Sequence, residues 1–123
     1  MKRSLIFAVI FSMVICQYAM AQTETTRIRH TVAFKLKHPK GSAEEKDFLK
    51  AIGKLADIPG VEKFECMKQV SKKNNYEFGV SMEFANQQAY DKYNTHPDHV
   101  AFVQNRWLKE VEDFLEIDYE VVN

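Results

Sequence analysis

The sequence predicts an α+β fold, one four-stranded antiparallel sheet with helices over one of its faces, and three observations predict it. Four segments carry apolar residues in strand-like patterns, chiefly alternating. Two regions between them carry apolar residues at helical spacing behind residues that cap helices. Turn formers separate these segments in the order strand, helix, strand, strand, helix, strand.

The chain opens with Lys2 and Arg3, an apolar run SLIFAVIFSMVIC, and small residues at Ala19 and Ala21, the two positions a signal peptidase reads. Residues 1–21 therefore read as a secretory signal peptide, too short and wrongly flanked for a stable membrane span. Cys16 is preceded by Ile15, where lipid attachment needs a small residue. The expected mature chain is a single domain over residues 22–123, beginning at Gln22, periplasmic or secreted and free of the membrane. Removing 21 of the 123 residues leaves 102 and takes away two basic residues and no acid. Fifteen basic then face 17 acidic side chains, a net charge of −2. That balance gives no basic stripe for nucleic acid. Cys66 is the only cysteine left, so no internal disulfide can form. A domain of about 100 residues buries only around two thirds of its surface. Nine phenylalanines, five tyrosines and a tryptophan in the full chain are generous for that size and suggest a partner subunit.

In RIRHTVAFKLK, Arg27 to Lys37, the residues Ile28, His30, Val32, Phe34 and Leu36 alternate with polar or small ones, which predicts a strand with His30 on its apolar side. Ser42 and Glu45 have the spacing of a capping box. Phe48, Leu49, Ile52, Leu55 and Ala56 follow on one helical stripe, and Pro59 and Gly60 end it. Val61 to Ser71 is a second strand of weaker contrast. KKNN turns the chain, and Tyr76 to Phe84 returns as a third strand with Tyr76, Phe78, Val80, Met82 and Phe84 on one side. Asn86 caps a short helix through Ala89, Tyr90 and Tyr93. Pro97 suits the first turn of another, because its missing amide would be unpaired there anyway. Val100, Val103, Trp107, Val111 and Phe114 continue at helical spacing, and Glu116 to Val122 alternates as the last strand. This order is the split βαβ, ferredoxin-like βαββαβ arrangement. Its helices cover one sheet face. The other face, expected to carry Val32, Phe34, Phe78 and Val80, must meet something, and a second copy of the chain is the simplest candidate.

Taken together, IRHTVAFKLK, PGVEKFE, YEFGVSMEF, YNTHPDHVAFV and the closing EIDYE resemble the stress-responsive dimeric α+β barrel (Dabb) family, which includes the plant enzyme olivetolic acid cyclase. The resemblance runs from about Arg27 to Tyr119, and its most specific part is the HPxHxxF element at His96 to Phe102. It implies two ferredoxin-like subunits packed sheet to sheet as a homodimeric barrel. It also implies that Tyr93 and His99 stand at the positions of the cyclase's working pair, which closes a ring by aldol chemistry without metal or cofactor. His30 matches that enzyme's first-strand histidine. Phe78 stands where the cyclase has a further pocket histidine, so no substrate is implied.

The residues themselves support two readings of YNTHPDHVAF. His99, in the first turn after Pro97, sits at the positive end of a helix, which disfavours an imidazolium and leaves a general base; Tyr93 could then donate to a developing oxyanion. Alternatively the motif only starts and packs a helix. His96 reads as structural, its ring bonding the backbone near the helix start. His30 is either a satisfied core histidine or a polar point in an apolar pocket. His30, His96 and His99 are the candidates for a metal site, but no acidic or thiolate residue has telling spacing and Pro97 intrudes, so neither metal nor cofactor is expected. Trp107 and Cys66 read as buried apolar residues.

The expectation is an exported homodimer that binds a small, largely apolar molecule inside its barrel. His30, Val32, Phe34, Phe78 and Val80 line the interior, and Tyr93 and His99 supply cofactor-free acid–base chemistry of a cyclase, lyase or isomerase kind. The rival classes are a non-catalytic stress-related structural or oligomeric protein and, more weakly, a dimeric-barrel monooxygenase.

Overall fold

The computed structural model describes residues 26–122, so the expected signal peptide, Cys16 and the Gln22 start lie outside the described residues. Strand β1 (Ile28–Leu36) leads into helix α1 (Ala43–Gly53), which tightens into a 3₁₀ turn at Lys54–Asp57. Strands β2 (Glu62–Lys68) and β3 (Phe78–Phe84) form the hairpin. Helices α2 (Gln87–Thr95) and α3 (Pro97–Phe102) follow, then a π-helical turn at Val103–Trp107, a short α4 (Leu108–Glu110) and strand β4 (Val111–Tyr119). The sheet order is β2-β3-β1-β4 with every neighbouring pair antiparallel, the ferredoxin-like arrangement.

The local signals act as the sequence implies. The Ser42 hydroxyl accepts from the Glu45 amide at 3.2 Å, and Glu45 Oε1 accepts from the Gly41 amide at 3.2 Å, one residue ahead of the usual capping-box partner. Phe48 and Ile52 then reach the core fully buried, with Leu55 beside them. Gly60 holds φ at 90°, a left-handed conformation that favours glycine, and turns the chain into β2. Asn86 Oδ1 accepts from the Ala89 amide at 2.8 Å and starts α2. His96 is extended, as a residue before proline tends to be, and separates α2 from α3. Its Nδ1 accepts from the Asp98 amide at 3.1 Å, the structural role expected of it.

Three expectations need correction. The helical run does not continue through Val111 and Phe114; β4 already begins at Val111, and Leu36 pairs with Val111 and Phe34 with Phe114. The nine residues of β1 have backbone groups to satisfy along their whole second edge, and a strand over residues 111–119 does so where a helix could not. Cys66 is not buried, because β2 is an edge strand and the thiol is exposed there.

The third correction concerns the sheet faces. Val32, Phe34, Phe78 and Val80 are buried in the chain's own core with Phe48, Ile52 and Leu55 from the helical layer, so they are not the open face. Alternation fixes which residues share a face but not which face the helices cover. The open face carries the opposite parity: Ala33 pairs with Leu115, Thr31 with Ile117, Arg29 with Tyr119, and Met67 with Gly79. Leu115, Ile117, Tyr119 and Met67 are all exposed there. Among the described residues no helix is long and apolar enough to cross a membrane.

Candidate active site

A cavity of about 240 Å³ lies between the covered face of the sheet and the helical layer. This cavity lies within a single subunit, whereas the sequence reading expected the ligand inside the barrel of a dimer. Val32 and Val80 from the sheet, Ile52 and Leu55 from α1 and its 3₁₀ turn, and Phe102 and Trp107 from the later helical segments form its apolar wall. Polar side chains join that wall from three directions: His30 from β1, Tyr93, Asn94 and His99 from around the α2–α3 junction, and Glu116 from β4. Five expected site residues thus line one cavity. Phe34 and Phe78 do not; they pack on each other with ring centroids 5.7 Å apart, and Phe34 is sealed against Phe48 and Trp107. Trp107 is only partly buried, standing between core and cavity.

The break at His96 folds α3 back so that the His99 Nδ1–H donates to the Asn94 carbonyl oxygen at 3.0 Å. A carbonyl can only accept, so this contact places the proton on Nδ1 and leaves the lone pair on Nε2. Burial lowers the pKa of His99 below its ordinary value and outweighs the bond to Asn94 and the Glu116 carboxylate, which raise it, with His30 and His96 adding smaller lowering effects. The neutral form is thus favoured chiefly by desolvation rather than by the end of a six-residue helix.

Tyr93 is 1% exposed, and its ring centroid lies 4.3 Å from that of His99. Burial, reinforced by the Glu116 carboxylate, raises its hydroxyl pKa well above the ordinary tyrosine value. Tyr93 is therefore held as a proton donor. The residue lines the cavity.

His30 is 6% exposed and satisfied. Its Nδ1–H donates to Asp118 Oδ1 at 2.6 Å, and Nδ1 is also 3.0 Å from the Tyr90 hydroxyl oxygen. That hydroxyl has one proton for two acceptors, Asp118 Oδ2 at 2.9 Å and Glu116 Oε1 at 3.2 Å. Burial and then Asp118 push the Tyr90 hydroxyl up, so it too remains a donor. The sequence reading missed Tyr90, Glu116 and Asp118 as site residues. The available signal was the closing strand, where Glu116 and Asp118 fall on the parity of Phe114 and pair with Val32 and His30. His30 Nδ1 and the two carboxylates lie within 4.8 Å of one another, the donor types a divalent cation takes. His96 and His99, the other expected candidates, are not part of that group.

The sequence profile of the stress responsive A/B barrel domain, Dabb, matches residues 28–121. A Dabb family protein with a ferredoxin-like fold from Mesorhizobium loti is 57% identical, with 80% of this chain and 100% of that chain covered and a TM-score of 0.78. A dimeric protein of unknown function and ferredoxin-like fold from Bacteroides fragilis is 24% identical, with 77% and 96% covered and a TM-score of 0.61. A hydroxynitrile lyase from Passiflora edulis is 12% identical, with 80% and 95% covered and a TM-score of 0.70, a likeness of fold. A search of curated proteins returned no match. The profile covers every strand and helix described above, and on that ground the chain belongs to the stress responsive A/B barrel domain (Dabb) family.

Proposed function

We propose that the protein is an exported homodimer that holds a small, largely apolar molecule in this cavity and performs acid–base chemistry on it without a cofactor. One observation carries the reading. A histidine with its Nδ1 proton fixed on Asn94 lies ring to ring with a tyrosine held as a donor, and both line an otherwise mostly apolar cavity. The corresponding chemistry starts at a carbon beside a carbonyl. Its proton passes to His99 Nε2, and the electron pair of the broken C–H bond moves toward the carbonyl oxygen, which accepts a hydrogen bond from Tyr93. The resulting carbon nucleophile attacks a second carbonyl, expels a leaving group or is reprotonated elsewhere, giving a cyclase, lyase or isomerase. A lyase on the same fold supports the reaction class by analogy of fold alone. Exposed Leu115, Ile117 and Tyr119 on the open sheet face, and the dimeric description of the Bacteroides relative, support the homodimer.

The experiment compares His99→Ala and Tyr93→Phe with the wild type. Each variant should fold with a cooperative melt, His99→Ala giving up about 1 kcal/mol with its bond to Asn94, and should lose turnover of a carbonyl substrate found by screening by about a hundredfold, the scale of a lost general acid or base. If the motif serves only as a helix start, both variants should leave ligand handling unchanged.

A further inference from the structure

We infer that Glu116 makes this cavity reject anions, so that its ligand is an apolar body with an uncharged or positively charged head and not a carboxylate. The inference rests on the cavity being a ligand site, as proposed above, and names the chemical class of that ligand. Among the residues lining the cavity there is no lysine and no arginine, while one carboxylate, Glu116, opens on it. A second carboxylate, Asp118, stands behind the wall, 2.6 Å from His30 Nδ1. Even with His30 protonated, two carboxylates leave this group net negative, and His99 is held neutral by burial.

Most cations of the described sheet are engaged elsewhere, and Lys68, at the end of the edge strand β2, is not among the residues lining the cavity. Arg27, Arg29 and Lys63 gather on Glu83, and Lys35 pairs with Glu112. Arg106 is held by Asp47 and Glu110. Glu116 itself is only loosely satisfied. It shares the single Tyr90 proton at 3.2 Å, lies 3.8 Å from His30 Nδ1, and is about half exposed. A hydroxyl or ammonium head entering the cavity could donate to it. A ligand carboxylate would meet a like charge with no lysine or arginine on the wall to offset it.

This arrangement also bears on the chemistry. The charge that repels a bound anion also opposes a free enolate oxygen in the same cavity. Tyr93 therefore has to hydrogen-bond that oxygen as charge develops, which its retained proton allows.

The test uses three probes with one carbon skeleton, 2-phenylethylamine, 2-phenylethanol and phenylacetate, titrated into the purified protein by calorimetry at pH 7.5 with chelator present, so that no bound cation offsets the carboxylates. The expected order of affinity is amine, then alcohol, then phenylacetate, with phenylacetate at least about tenfold weaker than the alcohol, a modest factor because Glu116 is partly solvated. In Glu116→Gln the amine should lose its lead and the gap between the alcohol and phenylacetate should close. Phenylacetate binding as well as the alcohol in the wild type, or a gap unchanged in Glu116→Gln, would overturn the inference. The wild-type order decides the matter even if the variant does not fold. Binding of none of the three at millimolar concentration would instead count against the cavity as a ligand site, and the inference would fall with it.

Discussion

On the covered face of the sheet, Phe34, Met82 and Phe84 are sealed under helices and the polar side chains are few; on the open face, Leu115, Ile117 and Tyr119 are exposed beside an ionic cluster of Arg27, Arg29, Lys63 and Glu83. The same strands supply both faces by alternation, so the difference comes from what lies above each one. A helical layer seals the first face and leaves a cavity where His30, Tyr93, His99 and Glu116 converge. The second face has apolar surface that a partner's matching face would remove from water, with charged groups beside it to limit indiscriminate pairing.

The largest expected effect is an aspartate on the covered face. Val80 is buried among Val32, Phe34 and Ile52, and burying an unpaired charge costs several kcal/mol, comparable to the roughly 5–15 kcal/mol that holds a domain folded. Val80→Asp should therefore show no cooperative melt in circular dichroism. A folded monomer from this variant would put Val80 at a subunit interface and erase the distinction between the faces.

The same substitution on the other face should behave differently. Ile117→Asp places its charge on an exposed position and should keep the native melt while light scattering reports a monomer in place of a dimer. A dimer that survives would move the interface elsewhere.

A change outside both faces calibrates these effects. Ser42→Ala removes the hydroxyl that caps α1 and should cost about 1 kcal/mol, a fall in melting temperature of roughly 4–8 °C for a domain of this size. Ligand handling should not change. A loss of binding in this variant would mean that the cavity depends on the start of α1.

The smallest effect concerns the ionic cluster. Hydrogen bonds from Arg29 and Lys63 hold the Glu83 carboxyl down to about 2, from an ordinary value of 4.5. A carboxylate depressed by folding contributes stability above its unfolded value and loses it as pH falls through the folded one. Melting temperature should therefore drop between pH 4.5 and about 2 with a contribution that Glu83→Gln removes. Wild-type and variant profiles of the same slope would show that the cluster is inert.

Much of this architecture is readable from local sequence. Ser42, Asn86, His96 and Pro97 act within a turn of themselves, and period-two runs identify β1 and β3 without knowledge of their neighbours. What depends on distant segments is not readable in that way. The run from Val100 to Phe114 fits a helix by spacing, but β1 needs a partner along its second edge and takes residues from Val111 onward. The open face was misassigned because alternation carries no label for inside. Tyr93 and His99 were found through a contiguous motif, whereas Tyr90, Glu116 and Asp118 join His30 only through strand register and the position of α2. That a carboxylate, Glu116, stands on the cavity wall is unreadable from local sequence for the same reason.

Acid–base chemistry in this cavity requires His99 as a neutral base with its proton on Nδ1. Nitrogen-15 NMR of the imidazole, recorded across pH on the wild-type protein, tests this directly. The prediction is the Nδ1–H tautomer for His99 at neutral pH, because Nδ1 donates to the Asn94 carbonyl, with a titration midpoint below 6.5, because burial disfavours the charged ring. A proton on Nε2, or a midpoint at or above 6.5, would contradict the account and leave the motif as a helix start.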